Sequence, residues 1–129
     1  MDPVFLSLSE VLEIHTGLIE QYGGSGGIRD LGLLESALSM PRAGSGGQYF
    51  HANVHEMAAA YLFHLVKNHP FVDGNKRVGA MAAELFLVVN AQRLEAPDEA
   101  LVDLAFAVAR GEVSAEALAI WIRQRSRPE

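Results

Sequence analysis

Apolar residues recur every three to four positions along most of the chain, which is the spacing of one face of an α-helix. Clusters of Gly and Pro divide the pattern into segments, and Ser, Asp or Asn precedes most segments as a helix N-cap. The pattern predicts six helices, over about 7–22, 30–39, 53–67, 75–92, 98–110 and 114–125, with Asp98 capping the fifth. No segment alternates as a strand would, and the basic tail 123–129 is expected to fray.

The third and fourth predicted helices are apolar around most of their circumference, which is typical of helices buried inside a fold. Gly79, Ala80, Ala82 and Ala83 would let the fourth helix approach its neighbour closely. The sequence therefore predicts an all-α fold, a six-helix bundle around a central antiparallel helix pair, in a single domain over 1–129. A chain of this length can bury about two-thirds of its unfolded surface.

The loop between the two central helices is strongly polar and reads HPFVDGNKR over 69–77. The helix after it begins near Asn75, so its unbonded N–H groups and positive dipole end point into the loop. Lys76 and Arg77 lie in the first turn, where cations oppose the dipole and destabilise the helix. A sequence that tolerates this cost is expected to bind an anion there.

The side chains of this loop suit one chemistry. Asp73 can hold Mg²⁺, which prefers carboxylate and phosphate oxygens. Gly74 allows close backbone approach to a phosphate, and Asn75 can donate its side-chain amide to a phosphate oxygen. His69 can accept a proton from an attacking hydroxyl. With Phe71 pinning the loop to the core, the set indicates nucleotide-dependent transfer onto a hydroxyl. Taken singly, each residue also fits a solvated loop with Asp73 as a helix cap.

This loop resembles the signature of the Fic/Doc superfamily, H-x-F-x-(D/E)-G-N-G-R-x-x-R, and specifically its death-on-curing (Doc) branch. The matching positions are His69, Phe71, Asp73, Gly74, Asn75 and Arg77. The chain departs from the general pattern at Lys76 and Ala80, and both departures are similar to the Doc branch. The resemblance continues through 27–30, 33–38 and 59–62, so it covers most of the chain.

The resemblance implies a toxin that moves the γ-phosphoryl group of ATP onto a Ser or Thr hydroxyl of a cytosolic translation factor, such as an elongation factor. In this interpretation His69 is the general base and Asp73 the Mg²⁺ ligand, and the phosphate ligands are Gly74, Asn75, Lys76 and Arg77. The Gly-rich stretch 42–53 is either a flap that positions the target or a plain connector. An antitoxin would place its C-terminal segment in a groove, whose candidate walls are the first two helices and 42–47.

Two alternatives stay open from the sequence. One is nucleotidyl transfer, the general Fic activity, in which AMP is attached to the hydroxyl. Lys76 fills the space that a glycine leaves for a deep triphosphate, and Ala80 supplies no second cation, so a reversed nucleotide with its γ-phosphate at the attack point is favoured. The other alternative is a non-catalytic module that binds nucleotide or a partner, although such a module would need no base.

Charge and composition narrow the remaining possibilities. The net charge is −6, from 10 basic and 16 acidic residues, so no direct binding of nucleic acid is expected. There is no cysteine, and neither a signal peptide nor a membrane-length apolar run is evident, which favours a cytoplasmic protein. His15 lies on an apolar helix face and is expected to be a packed core residue. Zinc binding by His51, His55 and His64 is disfavoured by their spacing.

Overall fold

The computed structural model describes residues 2–129, and local capping chemistry explains where most of its helices begin. The helices are α1 (Leu8–Tyr22), α2 (Leu31–Ser39), α3 (Val54–Asn68), α4 (Asn75–Val89), α5 (Ala100–Ala109) and α6 (Ala115–Arg125). Side chains of Ser7, Asp30, Asn53 and Ser114 each accept a hydrogen bond from the first turn that follows. The predicted all-α architecture is confirmed. The predicted cap of α5 was wrong, because that helix starts after Glu99 without a side-chain cap.

The core is built around α3 and α4, which pack on each other more extensively than any other pair of elements. The pair is antiparallel, since Tyr61 of α3 contacts the Phe86 ring near the far end of α4. A Cβ at Gly79 would lie 3.1 Å from the carbonyl oxygen of Leu62, so a glycine permits this backbone approach. The expected close contact is confirmed, and Ala82 and Ala83 are fully buried beside it.

Two short antiparallel strand pairs accompany the helices, and the sequence pattern did not predict them. Strands β1 (Gly44–Ser45) and β2 (Gln48–Tyr49) form a hairpin within the Gly-rich stretch. Strands β3 (Gln92–Leu94) and β4 (Ser126–Pro128) join the α4–α5 connection to the C-terminal tail. The expectation that the tail frays was wrong, because main-chain pairing holds it and Ser126 is buried. None of the helices within 2–129 has the length and apolar character needed to cross a bilayer.

Candidate active site

The polar loop turns sharply between the two central helices, and two left-handed residues make the turn possible. His69 ends α3 with φ 50°, and Gly74 precedes α4 with φ 86°. Glycine adopts the second conformation without strain, whereas a non-glycine residue in the first is uncommon and worth a structural explanation. The surrounding hydrogen bonds supply that explanation, because the loop is held from inside and from two neighbouring segments.

Asn75 holds the loop from inside. Its side-chain oxygen accepts from the N–H of Phe71 at 2.9 Å, and its amide nitrogen donates to the Phe71 carbonyl at 3.0 Å. The same nitrogen lies 3.1 Å from Nδ1 of His69. Both Asn75 and Phe71 are buried, which confirms that Phe71 anchors the loop to the core. The Asn75 amide, which the sequence interpretation directed at a phosphate, is therefore occupied by contacts within the loop.

The contact with Asn75 fixes the proton position on His69. The bonds to Phe71 orient the amide, so its nitrogen faces the imidazole, and an amide nitrogen can only donate. Nδ1 of His69 must therefore accept, and a neutral His69 carries its proton on Nε2. His69 as a residue is exposed at the end of α3. In this arrangement Nε2 is a hydrogen-bond donor, and the one basic nitrogen is engaged by Asn75.

A segment of the α1–α2 connection holds the loop from one side. Nε of Arg29 donates to the carbonyl of His69 at 2.6 Å, and Nη2 donates to that of Asn68 at 2.9 Å. The main-chain N–H of Arg29 also donates to Pro70, and Val72 donates to Gly27. The two side-chain bonds of Arg29 satisfy carbonyls at the C-terminus of α3, where a cation is also favourable for the helix dipole.

His15 of α1 holds the loop from the other side. Its ring stacks on Phe71 with centroids 3.9 Å apart and planes inclined by 11°. Its Nε2 lies 2.9 Å from the carbonyl oxygen of Asp73, 58 residues further along the chain. The predicted core position of His15 is confirmed, since only 5% of the residue is exposed. Its contact with the main chain beside Gly74 could not be anticipated from helical spacing.

Asp73 is exposed at the edge of the loop, with one oxygen committed and the other available. Oδ2 accepts from the main-chain N–H of Ser25 at 2.8 Å. A Cβ on Gly24 would lie 3.3 Å from the Cβ of Asp73, so the glycine segment approaches the carboxylate closely. Within residues 2–129 no three His, Cys, Asp or Glu side chains are grouped to hold a metal. A single carboxylate fits Mg²⁺, which commonly takes one or two protein carboxylates and completes its shell with phosphate oxygens and water.

A cleft of about 370 Å³ opens beside the first turn of α4, and Asp73, Gly74, Asn75, Lys76 and Arg77 contribute to its lining. No side chain among residues 2–129 caps this helix, and the residues of its first turn contribute to the lining of the cleft. This arrangement, together with the two adjacent cations, suits a phosphate. Five of the six predicted site residues thus meet in one cleft, and His69 is joined to them through Asn75.

Three neighbours hold the cations of this cleft, and sequence reasoning had assigned none of them to the site. The Lys76 ammonium lies 5.2 Å from the centroid of the Phe106 ring, within cation–π range. The Arg77 guanidinium lies over Tyr22 at 3.9 Å, and its Nη1 is 3.3 Å from Glu99. Tyr22 and Phe106 are both about half exposed. In the sequence, the only sign of these contacts was an aromatic residue on each of α1 and α5. The contacts themselves could not be predicted, because they depend on how those helices pack.

A second cavity, of about 320 Å³, lies away from the polar loop, between α3, α6 and His51, which follows the hairpin by two residues. His51, Glu56, His64 and Glu116 contribute its polar lining. Burial lowers the pKa of His64, and the neighbouring His51 adds to this effect. None of the residues of the polar loop contributes to this cavity. The polar loop therefore borders the cleft at α4 and not this second cavity.

Comparison with known proteins agrees with the resemblance seen in the loop. The sequence model described as the Fic/DOC family matches residues 5–87. The chain is similar to the protein named Toxin Doc of Mycolicibacterium smegmatis, with 41% identity over 75 residues that span 58% of each chain. It is also similar to the protein named Protein kinase doc of Escherichia phage P1, with 32% identity over 120 residues. That alignment covers 92% of this chain and 93% of the phage protein. With the six-helix fold and the loop at 69–77, these matches show that the chain belongs to the Fic/DOC family.

Proposed function

We propose that this protein is the toxin of a toxin–antitoxin pair and transfers the γ-phosphoryl group of ATP to a Ser or Thr hydroxyl of a cytosolic translation factor. The toxin and kinase activities named for the two relatives support this proposal. The observation that carries it is the grouping of two cations, an uncapped helix N-terminus and a carboxylate in one cleft next to the exposed residue His69. We assign the whole of 1–129 to one catalytic domain.

His69 is the proposed general base, which accepts the proton of the target hydroxyl as that oxygen attacks phosphorus. To do so it must present a nitrogen without a proton, whereas its one basic nitrogen is bonded to Asn75. Either Nδ1 leaves the amide or the ring proton moves from Nε2 to Nδ1, and both changes break this bond. We therefore propose that the His69–Asn75 contact opens when nucleotide and target bind, as catalytic contacts often rearrange on substrate binding.

Charge on the phosphates would be neutralised by the lining of the cleft. Lys76 and Arg77 provide full positive charges, and the main-chain N–H groups of Gly74, Asn75 and Lys76 provide donors at the helix end. The free oxygen of Asp73 would hold Mg²⁺, which would neutralise negative charge on the phosphates when bound. For Asn75 we now propose that the side chain positions His69 and Phe71, with its main-chain N–H left for the phosphate.

Nucleotidyl transfer is the second candidate, and Lys76 and Ala80 favour the kinase over it. Lys76 lies at the cleft where the general family pattern has glycine, and so reduces the room for a deeply bound triphosphate. Ala80 carries no charge, and it is only 4% exposed within the core cluster, so this position supplies no second cation to the cleft. A non-catalytic binding module remains the third candidate, and the exposed His69 beside the cleft counts against it.

The proposed partner is a separate antitoxin whose C-terminal segment folds into a groove on the toxin. Association of this kind costs several kcal/mol in ordering, so the groove should offer apolar surface. The hairpin 44–49 and its neighbour Arg42 surround a shallow depression, which stays a candidate wall of the groove together with α1 and α2. Tyr49 and Phe50 are exposed there, at 41% and 70%. The reaction and its target are proposed to be cytoplasmic, without direct binding of nucleic acid or membrane.

The proposal is tested by incubating the purified protein and Mg²⁺ with cell lysate, using ATP labelled at the γ- or the α-phosphate in parallel reactions. Incorporation of γ-label alone is expected, on a protein whose identity and modified residue mass spectrometry then supplies. Incorporation of α-label would instead support nucleotidyl transfer. Absence of both labels, with ATP binding intact, would favour the binding module and contradict catalysis.

A further inference from the structure

We infer that His15 is a positioning residue for the anion pocket, because it orients the Asp73–Gly74 peptide so that the Gly74 N–H faces the cleft. The inference rests on the proposed function, in which the N–H groups at the start of α4 bind phosphate. His15 does not line the cleft, so it would act only through the main chain of the loop. Its other contact with the loop is the stacking of its ring on Phe71.

The geometry around His15 leaves its ring one arrangement. A carbonyl oxygen only accepts hydrogen bonds, so Nε2 of His15, 2.9 Å from the Asp73 oxygen, must be the donor. The ring is buried and lies flat against Phe71 at 3.9 Å, which fixes its plane. Its Cδ2 is 3.7 Å from the position that a Cβ on Gly74 would take. The imidazole is thus a rigid donor to the carbonyl of the Asp73–Gly74 peptide, which precedes α4.

The orientation of one end of this peptide dictates the other. The Asp73–Gly74 peptide is trans, and in a trans peptide the C=O and N–H bonds point in opposite directions. Since the oxygen points to the buried ring of His15, the N–H of Gly74 points away from that ring. Gly74 itself contributes to the lining of the cleft, whereas His15 does not. The hydrogen bond from His15 therefore sets the direction of one phosphate donor.

This peptide needs such a restraint, because glycine accepts positive and negative φ about equally. At Gly74 (φ 86°) the peptide could rotate and turn its oxygen toward the cleft. A carbonyl oxygen there would repel a phosphate, whereas the N–H attracts it. The hydrogen bond donated by His15 selects the peptide orientation in which the Gly74 N–H can attract the phosphate. This role differs from simple packing, since packing requires the ring and orientation requires the N–H.

Two substitutions separate these requirements. His15→Phe keeps an aromatic ring against Phe71 and removes the donor, whereas His15→Gln keeps a donor and removes the ring. The full-length variants are titrated with inorganic phosphate and with ATP, following the ¹⁵N amide signal of Gly74, and thermal stability is measured in parallel. His64→Phe, a change in the second cavity, is the matched control and should leave the titration unchanged.

We expect His15→Phe to weaken phosphate and ATP binding about tenfold and to suppress the Gly74 response, the scale of one lost hydrogen bond. His15→Gln should bind closer to wild type even where it is the less stable of the two. The role of His15 would be overturned if the anion affinities of the variants rank in the same order as their thermal stabilities. It would also be overturned if His15→Phe binds the anions as tightly as wild type. If the wild-type Gly74 amide signal does not shift with phosphate or with ATP, there is no anion pocket. The role of His15 and the proposed kinase activity then both fail. Anion binding without transfer of label would overturn the kinase alone.

Discussion

Nη1 of Arg77 lies 3.3 Å from a carboxylate oxygen of Glu99, while the same guanidinium stacks on Tyr22. The stacking and the ion pair come from different helices, so they hold the cation between α1 and α5. A phosphate entering the cleft would have to share Arg77 with Glu99 or displace it. The pair is partly exposed, and pairs of this kind contribute only ~0.2–1 kcal/mol.

Glu99→Gln is therefore expected to tighten ATP binding, because it removes a carboxylate that competes for Arg77. The gain should be at most about fivefold and should shrink as salt is raised. Isothermal titration at two salt concentrations measures it. Glu112→Gln breaks a similar pair with Arg110, away from the cleft, and serves as the control. Weaker binding by Glu99→Gln would mean that Glu99 positions Arg77 instead of competing for it.

His69→Ala is expected to lower the rate of transfer by about 10²–10⁴-fold, the usual contribution of a general base. ATP affinity should change little, because the ring is not part of the cleft lining. Initial rates with a purified target, and ATP binding by titration, separate the two effects. His64→Ala is the control for removing an imidazole elsewhere. A folded His69→Ala protein with near-normal turnover would remove His69 from the mechanism.

Asp73→Asn should raise the Mg²⁺ concentration required for half-maximal ATP binding by about tenfold or more, since the amide carries no charge. The side-chain oxygen of Asn can still accept from Ser25, so the loop should keep its shape. Binding is measured across a Mg²⁺ series, with Asp103→Asn on the exposed face of α5 as the control. Identical Mg²⁺ curves for Asp73→Asn and wild type would exclude Asp73 as a ligand.

Lys76→Gly should shift incorporation from γ-label toward α-label, because it opens the cleft where the general family pattern has glycine. Lys76→Ala, which removes the charge with less change in backbone freedom, distinguishes pocket size from flexibility. Adding a second arginine at Ala80 is a poor test, since that residue is buried and a guanidinium there would disrupt the core. Exclusive γ-label transfer by Lys76→Gly would contradict the proposed orientation of the nucleotide.

Asn75→Ala should destabilise the protein by about 1–3 kcal/mol, because it leaves the buried N–H and carbonyl of Phe71 without their partner. Urea denaturation measures the loss. Asn90→Ala is the matched control, since the Asn90 side chain bonds Val4 and Phe86 at a distance from the cleft. Both variants should lose stability, but only Asn75→Ala should also weaken ATP binding. Equal binding by the two would limit Asn75 to a purely structural role.

The sequence predicted best those features that depend on neighbours in the chain. Ser7 and Glu10 form the expected capping box at α1, because both partners lie within one turn. The short strand 126–128 was missed since its partner, 92–94, is remote and the pairing covers only three residues. Helix α5 also begins later than the local signal at Asp98 indicated.

Within the site, the sequence singled out residues 73–77, which line the cleft, but neither the other lining residues nor the contacts that support the loop. The contacts of His15 and Arg29 with the loop join positions 58 and 40 residues apart. Helical spacing placed His15 in the core, yet it carried no information about which carbonyl the ring would meet. The Asn75 side chain was expected to bind a phosphate, whereas its partners in the structure lie in the loop itself, which folds back over Phe71.

The pairing of 27–29 with 70–72 has a consequence for how activity arises during folding. The hairpin of α3 and α4 is local and can form early, whereas joining the loop to the α1–α2 connection requires closing a long stretch of chain. A partly folded chain would thus contain every residue of the motif without the geometry that gives them a function. Activity and completed folding would arrive together, which suits an enzyme whose proposed reaction harms the cell that makes it.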